Sequence, residues 1–251
     1  MDFMPGAIAE FVEFSPKNLK GYTIIEGFPG MGLVGTIAAK YMVEKVKFRL
    51  YGYIDSDIFM PIIRVHKGLL VRPARIYVHE EKKLVVLISE QAIPKLYTNR
   101  LAKEVVKWIQ NKGITELISL SGIHAYSEAP GQPIIYGIAA NEESVDMLKK
   151  FNLELIQDGI TTGITAMILM ELKRTNIKGI SILGNVKIAA DYQAAAEVLK
   201  KLNELLSLKI DVKPLLNEAK EVERELLKQL QTTKQTKDSA EKFEPKAPMY
   251  T

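Results

Sequence analysis

Cysteine is absent from the 251 residues of the chain, and histidine occurs three times. The absence of cysteine excludes disulfides, thiolate catalysis and cysteine metal sites. The spacing of His66, His79 and His124 matches neither H-E-x-x-H nor H-x-H, and no G-x-S-x-G motif occurs, so neither a metal site nor a serine hydrolase is predicted. His66 and His79 are expected on surface strands. His124 follows a strand, where α/β enzymes keep catalytic groups, but it has no visible acid–base partner.

A strong charge of one sign and a long apolar run are also missing. The net charge is +4 with a pI near 8.9, and acids alternate with bases, which does not indicate a nucleic-acid partner. No apolar run of about 20 residues and no signal peptide occurs, so we expect a cytoplasmic protein with no membrane span. With 47% hydrophobic and 25% charged residues, the chain has enough apolar side chains for one sizeable core.

Apolar runs of strand length alternate with amphipathic stretches of helical period, which predicts an α/β core domain over residues 1–210. We expect a mixed, mostly parallel sheet flanked by helices. Between Pro61 and Ser89, strands at 64–68, 75–79 and 84–88 are separated by turns and predict an antiparallel excursion. The other strands are predicted at 22–25, 48–54, 114–120, 134–138, 153–156 and 179–183, and helices at 36–46, 99–110, 142–151, 160–173 and 191–206.

Residues 211–231 predict an amphipathic helix that begins near Pro214. Its apolar residues recur at alternating steps of four and three and form a narrow seam bordered by charges. Two to three heptads are too few for a stable isolated helix, so the seam needs a partner surface. That surface is either the helix's own domain or a second copy of the chain. The seam consists of Leu215, Ala219, Val222, Leu226 and Leu230.

Residues 232–251 predict a flexible tail. Between Gln231 and Pro248 the only large apolar side chain is Phe243, too little apolar surface to offset the entropy lost on ordering. The chain then ends in Met249, Tyr250 and Thr251, a hydrophobic residue, a tyrosine and a free carboxylate. An aromatic end on a flexible segment is typical of a docking motif.

A glycine-rich turn follows the first predicted strand and admits two interpretations. Its G-x-G-x-x-G spacing, with Asp55 about 20 residues further on, matches a dinucleotide-binding turn. A proline before the first motif glycine, the antiparallel excursion and the lack of a hydride-transfer centre favour a structural role, in which the glycines let a helix pack closely on its strand. The turn consists of Gly27, Pro29, Gly30, Gly32 and Gly35.

The run from Ile25 to Gly35, with the later Asp158-Gly-Ile-Thr-Thr-Gly163, resembles the proteasome assembly chaperone 2 family and in particular its archaeal homologues. The resemblance covers most of residues 15–208. It implies a phosphorylase/hydrolase-like α/β fold, no known catalysis and homo-oligomerisation. The short seam permits a tetramer, a pentamer or another ring, and no cofactor is expected.

The same resemblance gives the tail a role, because proteasome activators and assembly factors use a hydrophobic-Tyr-X ending to enter pockets between α subunits of the 20S core. Met249 would fill the apolar part of the pocket, Tyr250 would contact its wall and rim, and the Thr251 carboxylate would pair with a pocket lysine. The expected function is an ATP-independent activator or an assembly chaperone. The alternatives are an enzyme that binds a nucleoside or dinucleotide through Gly27 to Gly35 and the loop from Ser121 to Pro133, and a general chaperone.

Overall fold

Strands and helices alternate along the chain in this computed structural model, which describes residues 8–124 and 133–217. The helices are α1 (Val34–Lys45), α2 (Thr98–Asn111), α3 (Glu142–Lys150), α4 (Gly163–Leu172) and α5 (Tyr192–Leu206). The strands are β1 (Glu10–Glu13), β2 (Thr23–Gly27), β3 (Arg49–Asp55), β4 (Arg64–His66), β5 (Leu69–Val71), β6 (Ala74–His79), β7 (Leu84–Ser89), β8 (Glu116–Ile123), β9 (Ile135–Ala139), β10 (Glu154–Leu155) and β11 (Lys178–Asn185).

Nine of these strands form one mixed sheet in the order β1-β3-β6-β7-β2-β8-β11-β9-β10. Its centre is a parallel block, β7-β2-β8-β11. Antiparallel pairs join β1, β3 and β6 to one side of this block and β9 to the other. The predicted α/β class with a mixed sheet between helices is confirmed. A further parallel pair, β9 and β10, lies at one edge of the sheet, where α3 forms the crossover between the two strands.

Helices cover both faces of the sheet. Side chains of α2 and α4 pack into one buried cluster, and those of α1 and α5 into the other. A strand enclosed in this way has no polar face, and all six residues of β7 are accordingly buried.

The predicted antiparallel excursion divides into two parts. Strands β6 and β7 pair within the main sheet, as expected, but β4 pairs only with β5 in a separate two-stranded sheet. The pairing of β4 with β5 follows from the turn between them, in which Lys67 and Gly68 both have positive φ, 50° and 77°. Such a two-residue turn reverses the chain at once and pairs each strand with the next.

Strand β1 is a further element that the sequence analysis did not predict. It pairs with β3 at the sheet edge. Phe11 stacks on Trp108 of α2 with 5.2 Å between ring centroids. The Glu13 carboxylate accepts hydrogen bonds from Trp108 Nε1 at 2.8 Å and Tyr51 Oη at 2.7 Å, and pairs with Lys112 Nζ at 2.5 Å. These contacts join the edge strand to α2.

The packed core continues beyond residue 210, where the predicted core domain ends. Residues 213–217 are helical. Leu215, the first residue of the predicted seam, is 1% exposed within the cluster around α1 and α5. Its side chain is therefore buried by its own chain and is not available to another copy. Ala219, Val222, Leu226 and Leu230 lie outside the described residues.

Candidate functional site

The glycine-rich turn connects β2 to α1 through a tight change of direction. After Gly27 the chain passes through a short 3₁₀ turn, Met31–Leu33, in which Gly32 and Leu33 have φ of 62° and 51°. A left-handed conformation is costly for leucine, so the surrounding packing holds it in place. Helix α1 then begins at Val34.

Three glycines of this turn are required by close packing. A Cβ added to Gly27 would lie 2.4 Å from Cβ of Ala39, and one added to Gly35 would lie 2.1 Å from the carbonyl oxygen of Leu120. At Gly32 the added atom would lie 2.6 Å from Cγ1 of Val186. These distances are too short for a side chain, so packing accounts for the three residues, and at Gly32 the positive φ is a second reason for glycine.

Gly30, the first residue of the dinucleotide-like spacing, differs from the other three. Its φ of −141° is extended backbone. A Cβ there would lie 3.5 Å from Ser121 Oγ, which is ordinary van der Waals contact. Packing does not explain this glycine, and it lines a cavity together with Pro29.

The cavity has a volume of about 760 Å³ and lies where β2 and β8 end. The connection after β2 leads to β3 on one side of the sheet, and the connection after β8 leads to β9 on the other. A crevice at such a switch point is where α/β sheets commonly bind ligands. The cavity is lined by residues 29–31, 121–123, 137–139 and 155–165, together with Val145 and Leu183.

The chemistry of the cavity does not match a dinucleotide. Its described lining contains hydroxyl groups, and its only ionisable side chain is the acidic Asp158, which would repel a phosphate. Asp55, the proposed ribose-binding acid, lies on β3, separated from β2 by β6 and β7. Three strand spacings amount to roughly 14 Å. Asp55 instead pairs with Arg72 at 2.8 Å.

A buried carboxyl group lies directly beneath the cavity. Glu26 is fully buried, and its Oε2 accepts hydrogen bonds from Ser119 Oγ at 2.5 Å and from Thr165 Oγ1 at 3.0 Å. Its Oε1 accepts a third from the Phe28 backbone N–H at 2.7 Å. Burial raises the pKa of Glu26, although these hydrogen bonds oppose the shift. Thr165 both contacts Glu26 and lines the cavity.

The sequence analysis overlooked Glu26, although a signal was present. The residue interrupts an otherwise apolar strand that enters the glycine-rich turn. An acid at the centre of a parallel sheet is exceptional because both faces of such a strand are buried.

The structure assigns the histidines no common site. His66 is exposed on β4, and His79 meets the ring of Phe48 edge-on with 5.5 Å between centroids. His124 Nδ1 lies 2.8 Å from the Val186 carbonyl oxygen. Within residues 8–124 and 133–217, no three His, Asp or Glu side chains cluster as metal ligands would. Across the same residues, every helix is too short or too polar to cross a membrane.

The predicted docking residues Met249, Tyr250 and Thr251 lie outside the described part of the chain. Their role remains a prediction from the sequence.

Comparison with known proteins relates the chain to proteasome assembly factors. The model of the PAC2 family matches residues 24–230. An uncharacterized protein of Methanocaldococcus jannaschii is 30% identical over 218 residues, covering 86% of this chain and 89% of that protein. Proteasome assembly chaperone 2 of Danio rerio is 24% identical over 138 residues, 50% of this chain and 53% of the relative.

Two solved structures from Pyrococcus furiosus have the same fold. PbaA, described as an archaeal homolog of proteasome-assembly chaperone, is 28% identical with a TM-score of 0.79, over 93% of this chain and 96% of PbaA. PbaB, described as an archaeal proteasome activator, is 24% identical with a TM-score of 0.76, over 89% of this chain and 98% of PbaB. The second likeness concerns the fold alone.

Proposed function

Because the chain belongs to the PAC2 family, we propose that it is a non-enzymatic protein that binds the 20S proteasome core. The observation that carries this proposal is the family match over residues 24–230, supported by the likeness to PbaA over most of both chains. In this role the protein assists assembly of the core, or opens its gate without ATP hydrolysis. The cavity supports a catalytic alternative poorly, because the described lining contains one acid and no basic side chain.

The proposed contact is made by the tail. Met249 fills the apolar part of a pocket between neighbouring α subunits, and Tyr250 places its ring and hydroxyl against the wall and rim. The carboxylate of Thr251 pairs with a pocket lysine through a charge-assisted hydrogen bond. The composition of residues 232–248 supports this arrangement, because such a segment has too few apolar side chains to fold by itself.

Several tails on one oligomer supply the affinity that a single tail lacks. Three residues bury little surface, so one tail binds weakly, whereas linked tails bind at a high effective concentration. A flexible segment of about 20 residues spans roughly 25 Å on average, which is enough to connect one body to separate pockets of a ring. We therefore propose a homo-oligomer.

The test is co-purification with an archaeal-type 20S core. We expect deletion of Met249 to Thr251, and Tyr250→Ala alone, to abolish association while the melting temperature is unchanged. Phe243→Ala is the matched control, because it removes an aromatic ring from the same tail outside the docking motif. Appending one glycine after Thr251 displaces the carboxylate and is expected to weaken association.

Peptide hydrolysis by the core then distinguishes an activator from an assembly chaperone. An activator accelerates hydrolysis by a preassembled core, and an assembly chaperone accelerates only the formation of cores from subunits. Association that survives the deletion unchanged would contradict tail docking. An enzyme that used the cavity would retain its ligand in every tail variant.

A further inference from the structure

Residues 60–71, here called the apolar hairpin, expose a concentration of large hydrophobic side chains. The segment contains β4, β5 and the preceding residues, and six of its apolar side chains are more than half exposed. The exposed fractions are 55% for Met60, 63% for Ile62, 54% for Ile63, 59% for Val65, 72% for Leu69 and 75% for Leu70. Single exposed hydrophobic residues are ordinary on protein surfaces, but a contiguous group marks an interaction site.

Polar contacts at its base hold the hairpin on the main body. Arg64 Nε donates to Glu90 at 2.7 Å. Gln91 Nε2 donates to the backbone carbonyl oxygens of Met60 at 3.2 Å and Ile62 at 2.8 Å. The hairpin is therefore fixed in place while these six apolar side chains stay exposed.

The strand register places Val65 opposite Leu70, so these two side chains share one face of the hairpin. Strands β4 and β5 form a sheet of only two strands, in which each strand has one unpaired edge. A two-stranded hairpin with an exposed apolar face is marginally stable in water and needs a further surface to cover it.

We propose that the apolar hairpin is the surface through which copies of this chain associate. Six side chains exposed by more than half present an apolar area on the order of 400 Å². When two copies meet through the same patch, about 800 Å² is covered, roughly half of a standard interface of about 1,600 Å². The polar residues around the hairpin supply the remaining area as the rim of the interface, as in other interfaces.

The local charges favour a second copy over an oppositely charged partner. A patch that meets itself brings like charges together, so only a neutral or internally paired surface is suited to the contact. Arg64 pairs with Glu90, and the adjacent Arg72 pairs with Asp55, both within one chain, which leaves Lys67 in the turn as the one lysine or arginine of residues 60–71 without an ion pair. The unpaired edges also allow strand pairing between copies, which requires no side-chain charge.

This inference rests on the proposed function, because association through the hairpin would join several weakly binding tails in one oligomer. The proposed contact does not involve Leu215, the first residue of the predicted seam, since that side chain is buried by its own subunit.

The test is the molar mass of the full chain, measured by light scattering during gel filtration. We expect Leu70→Asp to reduce the mass to that of a smaller species and to weaken self-association at least tenfold. Leu96→Asp is the matched control, because Leu96 is 79% exposed outside the hairpin, and it is expected to retain the wild-type mass. A far-ultraviolet circular dichroism spectrum like that of the wild type, with a cooperative melting transition, verifies that the dissociated chain is folded.

Mixing two variants that carry opposite charges at position 70 distinguishes a contact between copies from a purely structural role of Leu70 within one chain. Leu70→Asp and Leu70→Lys chains are each expected to stay dissociated alone and to associate when mixed. The inference is overturned if the wild type is monomeric or if Leu70→Asp keeps the wild-type mass. If that variant keeps the mass and also loses 20S binding, the core particle is the occupant of the hairpin. Deletion of Met249 to Thr251 leaves the mass unchanged here, so failure of tail docking is read separately.

Discussion

At the residue scale, the buried Glu26 carboxyl group couples stability to pH. Its pKa in the folded protein is raised above the ordinary value of 4.5 by burial, so the folded state retains a proton that the unfolded chain releases. The contribution of this proton to stability is complete below pH 4.5 and is lost as pH rises through the folded pKa. Above that range the charged group is held only by its hydrogen bonds to Ser119, Thr165 and Phe28.

We therefore expect Glu26→Gln to gain stability relative to the wild type as pH rises. The amide keeps the shape, its oxygen still accepts from Phe28, and its NH₂ group donates to the two hydroxyls. The difference in free energy of unfolding should increase by up to about 1.4 kcal/mol per pH unit until the folded pKa is passed. Urea denaturation between pH 4 and 8 measures it, with the exposed Glu81→Gln as control. A difference that is flat across this range would contradict a raised pKa of Glu26 in the folded protein.

The glycine-rich turn provides a second test at the residue scale. A Cβ at position 35 would lie 2.1 Å from a backbone carbonyl oxygen that cannot move without disturbing β8, whereas one at position 30 meets only Ser121 Oγ at 3.5 Å. We expect Gly35→Ala to destabilise the fold by about 2 kcal/mol or more, and Gly30→Ala to change stability by less than about 0.5 kcal/mol. Thermal and urea unfolding measure both. Equal tolerance of the two substitutions would contradict packing as the reason for Gly35.

At the scale of elements, the periodicity of apolar residues predicts those helices and strands whose apolar side chains pack into the core of the same chain. The helix at 99–110 was predicted because one apolar face repeats along α2, and β7 because its apolar run is continuous. Strand β1 was not predicted, because four residues with a glutamate at each end carry too little pattern. The strand predicted at 64–68 was placed in the main sheet and β5 was not predicted, because no local pattern distinguishes the separate β4–β5 hairpin, with its exposed apolar side chains, from a strand of the main sheet.

The candidate site was predictable only where it depends on local sequence. The tight spacing of the glycine-rich turn is a local property, and its position between a strand and a helix followed from the sequence. The separation of Asp55 from that turn depends on strand order, which no local pattern encodes. The same holds for the burial of Glu26 beneath the cavity, which needs Ser119 of β8 and Thr165 of α4.

Strand β1 depends on one carboxylate for its attachment to α2. Glu13 accepts hydrogen bonds from Trp108, Tyr51 and Lys112. Removing it leaves the indole N–H and the phenol hydroxyl partly buried without this acceptor, so we expect Glu13→Ala to cost about 2 kcal/mol. Hydrogen exchange of the β1 amides, which pair with β3, should accelerate more than that of β7. Glu10→Ala on the same strand is the control, and equal effects of the two substitutions would contradict the assigned role of Glu13.

At the scale of the whole molecule, the proposed function separates into a body that sets the number of tails and tails that make the contact. The apolar hairpin is fixed to the main sheet by the polar contacts of Arg64 and Gln91. The segment leading to the tail begins beyond Leu215, which is itself held in the core. Association and docking therefore involve different residues, and each is expected to be removable without the other.

This separation yields a quantitative expectation for a synthetic peptide of residues 232–251. The peptide carries the docking motif without the body, so it should compete with the full chain for the 20S core but bind about 10²- to 10⁴-fold more weakly, because it lacks the effective concentration that linked tails provide. Leu70→Asp should fall between the two if it still forms a smaller oligomer. Titration of labelled peptide against the core, with Tyr250→Ala peptide as control, measures the difference. A peptide that binds as tightly as the full chain would show that one tail is sufficient and that oligomerisation serves another purpose.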